Sequence, residues 1–181
     1  MKEEIKKAIP EFNLIRDATL REQTIGVWED AMREGNWTME QVNSMPFSLH
    51  VENCQISFIE HVRTVCKMCV AVADVLKESY GERSQIDYDT LIAGALLADV
   101  GKLIEYEQID GQITKAGRGQ HLRHPFTGVA MSHARGIPLE VQHVIATHSK
   151  EGEMMTRSSE SVIFHHADFI DFDLVSKKRP F

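Results

Sequence analysis

Apolar residues recur every three or four positions along most of this chain, and the strict alternation that marks strands is scarce. That spacing lines apolar side chains along one face of a helix, not one face of a pleated strand. It restricts the chain to an all-α fold. At 181 residues the chain can fill one core well and is short for two full domains. No repeat, low-complexity segment or Pro-, Gly- or Ser-rich linker divides it, so a single-domain helical bundle is expected.

Start and stop signals set out the helices. A first helix is predicted from before Phe12 to about Arg33, with Ile15, Ala18, Ile25, Trp28, Ala31 and Met32 on a mixed apolar face. Gly35-Asn36 stops it. Thr38 then caps a short helix, with Gln41 completing a capping box and Pro46 ending it. The next helix is predicted from about Gln55 to Ser79, with His61, Val65, Met68 and Val72 on one face and Gly81 as terminator. Asp87 or Asp89 caps a helix from Thr90 to about Val100. Asp110-Gly111 invites a turn, within a small hairpin or a loop. Lys115 to Arg123 is polar, carries Gly117 and Gly119, and reads as a mobile loop. His124-Pro125 opens a helix that Gly136 ends. Pro138 starts another, with Val141, Val144, Ile145 and His148. After the polar break from Lys150 to Arg157, a last helix runs from about Ser158 to Leu174. Lys177-Lys178-Arg179 reads as a solvated basic tail.

The net charge of −7 argues against bulk attraction to nucleic acid or anionic membrane. The longest apolar stretch, Leu91 to Val100, is too short to span a bilayer. No secretory signal is visible, so cytoplasm is the expectation. Cys54, Cys66 and Cys69 suit a reducing compartment. Cys66 and Cys69 have the spacing of a redox pair or half a zinc site, but their apolar surroundings favour buried, inert thiols.

Asp99 ends the Leu91–Val100 run just before Gly101-Lys102. His61 lies upstream, and His124, His148 and Asp168 downstream. Imidazole and carboxylate together suit divalent first-row metals. Any one of these histidines is more simply a hydrogen-bonded core residue; three histidines and two aspartates in order, around Leu96-Leu97-Ala98-Asp99-Val100-Gly101-Lys102, are not. From about Ile56 to Asp173 the chain resembles the HD-domain metal-dependent phosphohydrolases of the two-metal type.

The resemblance implies an HD-like metal-binding domain over residues 51–181; residues 1–50, which it does not cover, are expected to form a helical extension packed on it. It implies His61, Asp99 and Asp168 around one cation and Asp99, His124 and His148 around another, with Asp99 bridging. One or two ions of Fe, Mn, Co, Ni or Zn are implied, with Mg also allowed. A metal-bound hydroxide would be the nucleophile. Where the family pattern has His before the Asp, this chain has Ala98, which offers no ligand atom. Deliberate substitution, a natural variant working with one metal or a water in the gap, and a degenerate binder all stay open.

Lys102, three residues after Asp99, is expected beside the reacting groups with a catalytic or substrate-binding role; the plain alternative is a helix-end cation. Lys150, Arg118, His121 and Arg123 are candidate substrate-binding groups, with solvated side chains as the alternative. His165 or His166 can orient a carboxylate. His50, His133, His143 and Glu60 are expected outside the site, and Trp28 and Trp37 in the core. The expected function is hydrolysis of a small phosphorylated substrate such as a nucleotide or phosphomonoester. The alternatives are a di-iron oxygenase of similar fold acting on a phosphonate or polyol, and a catalytically impaired ligand-binding module. A small-molecule partner is expected, without nucleic acid or membrane, and a homodimer stays open.

Overall fold

From Leu91 to Val100 every residue is buried. A segment apolar on all sides must be surrounded, and the chain wraps it with helices. The structure, a computed structural model, describes residues 1–176. It contains α1 (Lys2–Ala8), α2 (Ala18–Glu34), α3 (Met39–Ser44), α4 (Phe58–Tyr80), α5 (Tyr88–Leu97), α6 (Lys102–Glu105), β1 (Tyr106–Ile109), β2 (Gln112–Lys115), α7 (His124–Ala134), α8 (Leu139–Thr147) and α9 (Ser159–Ser176). Helix α5 carries most of the Leu91–Val100 segment and packs against α2, α4, α8 and α9. Apart from the β1–β2 hairpin the described protein is helical, as the apolar spacing requires. The basic tail Lys177-Lys178-Arg179 lies outside the described residues.

Local signals place most helix ends. Thr38 and Gln41 form the capping box at the head of α3. Ser57 and Glu60 form a second one at the head of α4, so Glu60 serves the helix end and α4 begins at Phe58 instead of Gln55. Gly81 ends α4 at φ +58, where a side chain would be strained. The Asp110-Gly111 turn has φ +51 and +79 and joins β1 to β2 with Tyr106 opposite Lys115. Asp87 is the residue that caps α5, accepting from Thr90 N–H. Asp89 instead accepts from the backbone N–H groups of Arg16 and Asp17, each at 2.8 Å.

The single N-terminal helix predicted by periodicity is in fact two helices and a 3₁₀ turn at Pro10–Leu14. Pro10 lacks the N–H an α-helix interior needs. Asp17 then starts α2 by accepting from Thr19 and Leu20 N–H. On α4 the buried stripe runs through His61, Val65, Cys69 and Ala73, while Val72 is 41% exposed. The Lys115–Arg123 segment contains a 3₁₀ turn at Arg118–Gln120 with Gly119 buried.

Trp28 and Trp37 are both buried. The indole of Trp28 donates to Leu96 O at 2.8 Å, and that of Trp37 to Leu103 O at 2.7 Å. These bonds tie the N-terminal segment to both flanks of Asp99. Ile5, Phe12, Trp28 and Val42 share one apolar core with Phe58, Leu96 and Val144.

Candidate metal centre

The backbone turns sharply after α5, with Lys102 N–H donating to Asp99 O at 2.8 Å. Gly101 sits in this turn, and a Cβ there would lie 2.2 Å from His124 O and 2.9 Å from Gly128 N. Only a glycine lets the two backbones approach so closely, and this contact brings His124, the first residue of α7, beside Asp99. His61 projects from the first turns of α4, His148 follows the last turn of α8, and Asp168 lies midway along α9.

These residues, distant in the chain, converge. Asp99 Oδ2 is 3.1 Å from His61 Nε2, which is also 3.1 Å from Asp168 Oδ1. Asp99 Oδ1 is 3.3 Å from His124 Nε2 and 3.7 Å from His148 Nε2. The two Nε2 atoms of His124 and His148 are 3.2 Å apart. Two trios can therefore hold a cation: Asp99, His124 and His148, all buried, and His61, Asp99 and Asp168.

Each imidazole is aimed by a partner on its other nitrogen. Glu105 Oε2 accepts from His124 Nδ1–H at 2.9 Å, and the Ile145 carbonyl accepts from His148 Nδ1–H at 2.7 Å. Asp171 Oδ2 accepts from His61 Nδ1–H at 2.7 Å. With Nδ1 protonated, Nε2 of His124 and of His148 faces Asp99 as a donor atom for a metal. His165 Nδ1 donates to the His148 carbonyl at 2.7 Å, not to a carboxylate, and His166 is exposed. Glu105 and Asp171 escaped the sequence reading. Asp171 follows Asp168 by three on one helix face, which was a usable signal; for Glu105 nothing in its spacing marks it.

Charge follows from this geometry. Burial opposes ionisation of Asp99, but the Lys102 charge, then the His148 and His61 hydrogen bonds, outweigh it and hold the carboxyl well below the usual range. Lys102 Nζ donates to Asp99 Oδ2 at 2.8 Å and to Phe47 O at 2.9 Å. Burial lowers Lys102, yet Asp99 wins and raises it. Burial also opposes charge on His61, but Asp168, Asp171 and Asp99 push it up to about 10. His148 is raised because Asp99 outweighs burial, whereas on His124 burial wins and lowers it. Glu105 is buried, yet the His124 contacts and Arg123 hold it at about 2.

A cavity of about 370 Å³ opens over the two trios. Phe47, Phe169 and Phe172 supply apolar wall, and Lys102, Arg123 and Lys150 supply cations. Arg123 Nε lies 3.6 Å from Glu105 Oε1 and 3.5 Å from Glu151 Oε1, too far for a hydrogen bond to either. Arg118 and His121 do not line this cavity. Arg118 is drawn off by an ion pair with Glu34, and His121 is exposed. His50, expected outside the site, lines the cavity. His143 stays structural, accepting from Ser158 N–H at 3.2 Å. Ala98 is fully buried and adds no ligand atom. Cys66 and Cys69 are buried away from this cavity.

Helices that converge histidines and carboxylates on one shared aspartate define a helical protein with a candidate divalent-metal centre. The chain belongs to the HD domain family, whose model matches residues 58–173, and HD domains bind divalent metals. The chain is similar to the dihydroneopterin 2',3'-cyclic phosphate phosphodiesterase of Methanocaldococcus jannaschii, at 35% identity over 114 residues, which is 62% of this chain and 45% of that relative. It thus spans less than half the length of the curated relative it matches. No solved structure matched. No helix among the described residues is long and apolar enough to cross a membrane.

Proposed function

We propose that this chain is a metal-dependent phosphohydrolase acting on a small phosphate ester that carries a flat ring. The observation that carries the reading is the cavity: aromatic wall and cationic groups face the same two trios that can hold a cation. A divalent cation bound there supplies positive charge and lowers the pKa of water toward neutrality. The nitrogen and carboxylate donors suit Mn, Fe, Co, Ni or Zn better than Mg, which favours all-oxygen shells.

The protein's own groups supply the rest. Phe169 and Phe172 hold the ring of the substrate by apolar contact. Lys150 and Arg123 meet its phosphate oxygens at the cavity wall. Lys102 sits against Asp99 and adds a fixed positive charge beside the phosphorus that is attacked. Glu105, Asp171 and the Ile145 carbonyl keep the three imidazoles aimed.

The relative is a 2',3'-cyclic phosphate phosphodiesterase, which makes cyclic phosphodiesters the first substrates to try and favours hydrolysis over the oxygenase alternative. Purified protein reconstituted with Mn or Fe(II) should open a nucleoside or pterin 2',3'-cyclic phosphate to a monoester, and His148→Ala should lose at least about a hundredfold in rate. Failure on cyclic phosphates, phosphomonoesters and nucleotides with every one of these metals would remove the proposal.

A further inference from the structure

The two oxygens of Asp99 are not equivalent. Oδ1 is the oxygen that His124 Nε2 and His148 Nε2 approach, at 3.3 Å and 3.7 Å. Oδ2 already accepts from Lys102 Nζ at 2.8 Å while lying 3.1 Å from His61 Nε2. Lys102 is 8% exposed and is pinned from its other side by Phe47 O at 2.9 Å. It cannot swing away without leaving that buried carbonyl without this partner.

An ammonium has three protons and no lone pair, so it cannot be a metal ligand. It neutralises the same carboxylate charge that a cation at the His61 side would use. A divalent ion there would sit next to a fixed positive charge, with repulsion that low polarity strengthens. That side also has three protein ligand atoms, from His61, Asp99 and Asp168, and the adjoining Ala98 methyl contributes none. The other side offers two imidazoles against one, aimed through Nδ1 by Glu105 and the Ile145 carbonyl as His61 is by Asp171.

Resting on the reading that this centre binds metal, we infer that it holds one tightly bound divalent cation, on Asp99, His124 and His148, and that the Lys102 ammonium stands in for the second charge on the His61 side. The centre is therefore mononuclear in this chain, and Lys102 is what balances Asp99 Oδ2.

The test is Mn(II) titration of the full chain, followed by calorimetry and electron paramagnetic resonance, with bound metal counted by mass spectrometry. One tight equivalent and an uncoupled Mn(II) signal are expected. Asp168→Asn should keep that affinity within about threefold, whereas His148→Ala and His124→Ala should each lose at least about a hundredfold. The double variant Ala98→His with Lys102→Met should take up a second equivalent and show spin coupling. Circular dichroism verifies folding of each variant, and the unmodified chain and Asp168→Asn carry the test if a histidine variant unfolds. Two tight equivalents in the unmodified chain, or loss of tight binding in Asp168→Asn with retention in His148→Ala, would overturn the inference. If one Mn(II) binds as described and no phosphate ester is hydrolysed, this inference stands and the hydrolase reading falls; if no metal binds at all, both fall.

Discussion

Glu105 accepts two hydrogen bonds from one residue: from the backbone N–H of His124 at 2.7 Å and from its ring Nδ1 at 2.9 Å. One buried carboxylate thus sets where α7 begins and which way the His124 imidazole faces. Glu105 ends α6, directly after the turn that carries Asp99, so this side chain links that turn to the His124 imidazole.

Both bonds end on Glu105 Oε2, so Glu105→Gln keeps an oxygen that can accept them and removes the charge. It is expected to weaken metal binding by about 10–100-fold and to lower stability by ~1–3 kcal/mol. Glu105→Ala should do worse on both counts. Metal titration and urea unfolding measure the two effects; unchanged affinity in Glu105→Ala would refute the positioning role.

The Glu105 carboxyl is held at about 2, below its ordinary 4.5. Its contact with His124 therefore stabilises the fold in full above about 4.5 and is lost as the pH falls towards 2. Stability of the metal-free protein should drop across that interval, and Glu105→Gln should show a shallower drop than the unmodified chain. Equilibrium unfolding at several acidic pH values reads this directly.

Gly101→Ala would place a methyl 2.2 Å from His124 O, against backbone that cannot rotate away. A loss of ~1–3 kcal/mol or more is expected, together with weaker metal binding because α7 must shift. Gly117→Ala is the control, since nothing lies within 4 Å of a Cβ there. Thermal melts of the two variants should differ clearly; equal melts would show the α6–α7 approach to be slack.

Cys66 and Cys69 are fully buried, and burial pushes the Cys66 thiol up to about 12 and raises Cys69 as well. Cys54 is only half-buried. A thiol reagent at neutral pH should label one cysteine quickly in the folded protein and all three after denaturation. Rapid labelling of Cys66 would contradict the packing of α4.

The helical architecture, the Thr38 capping box, the Asp110-Gly111 turn and the stops at Gly35, Gly81 and Gly136 were all legible in the chain, because each depends on residues within a few positions of one another. The set of His61, Asp99, His124, His148 and Asp168 was legible too, through the resemblance to the HD pattern around Asp99-Val100-Gly101-Lys102. The break of the first helix at Pro10 and Asp17 was written locally but masked by continuous apolar periodicity on both sides.

Only the folded molecule decided the rest. Asp89 helps to hold the N-terminal segment, through bonds to backbone more than seventy positions away. Arg118 turns to Glu34 and out of the cavity, while His50 turns into its wall. Glu105 and Asp171 aim rings that lie 19 and 110 residues from them. Lys102 lies three positions from Asp99, but its burial and its bond to Phe47 O depend on a segment fifty-five residues earlier. Periodicity and caps are short-range and survive in one dimension; hydrogen-bond partners and local charge balance depend on which surfaces meet, and that is settled when the helices close around α5.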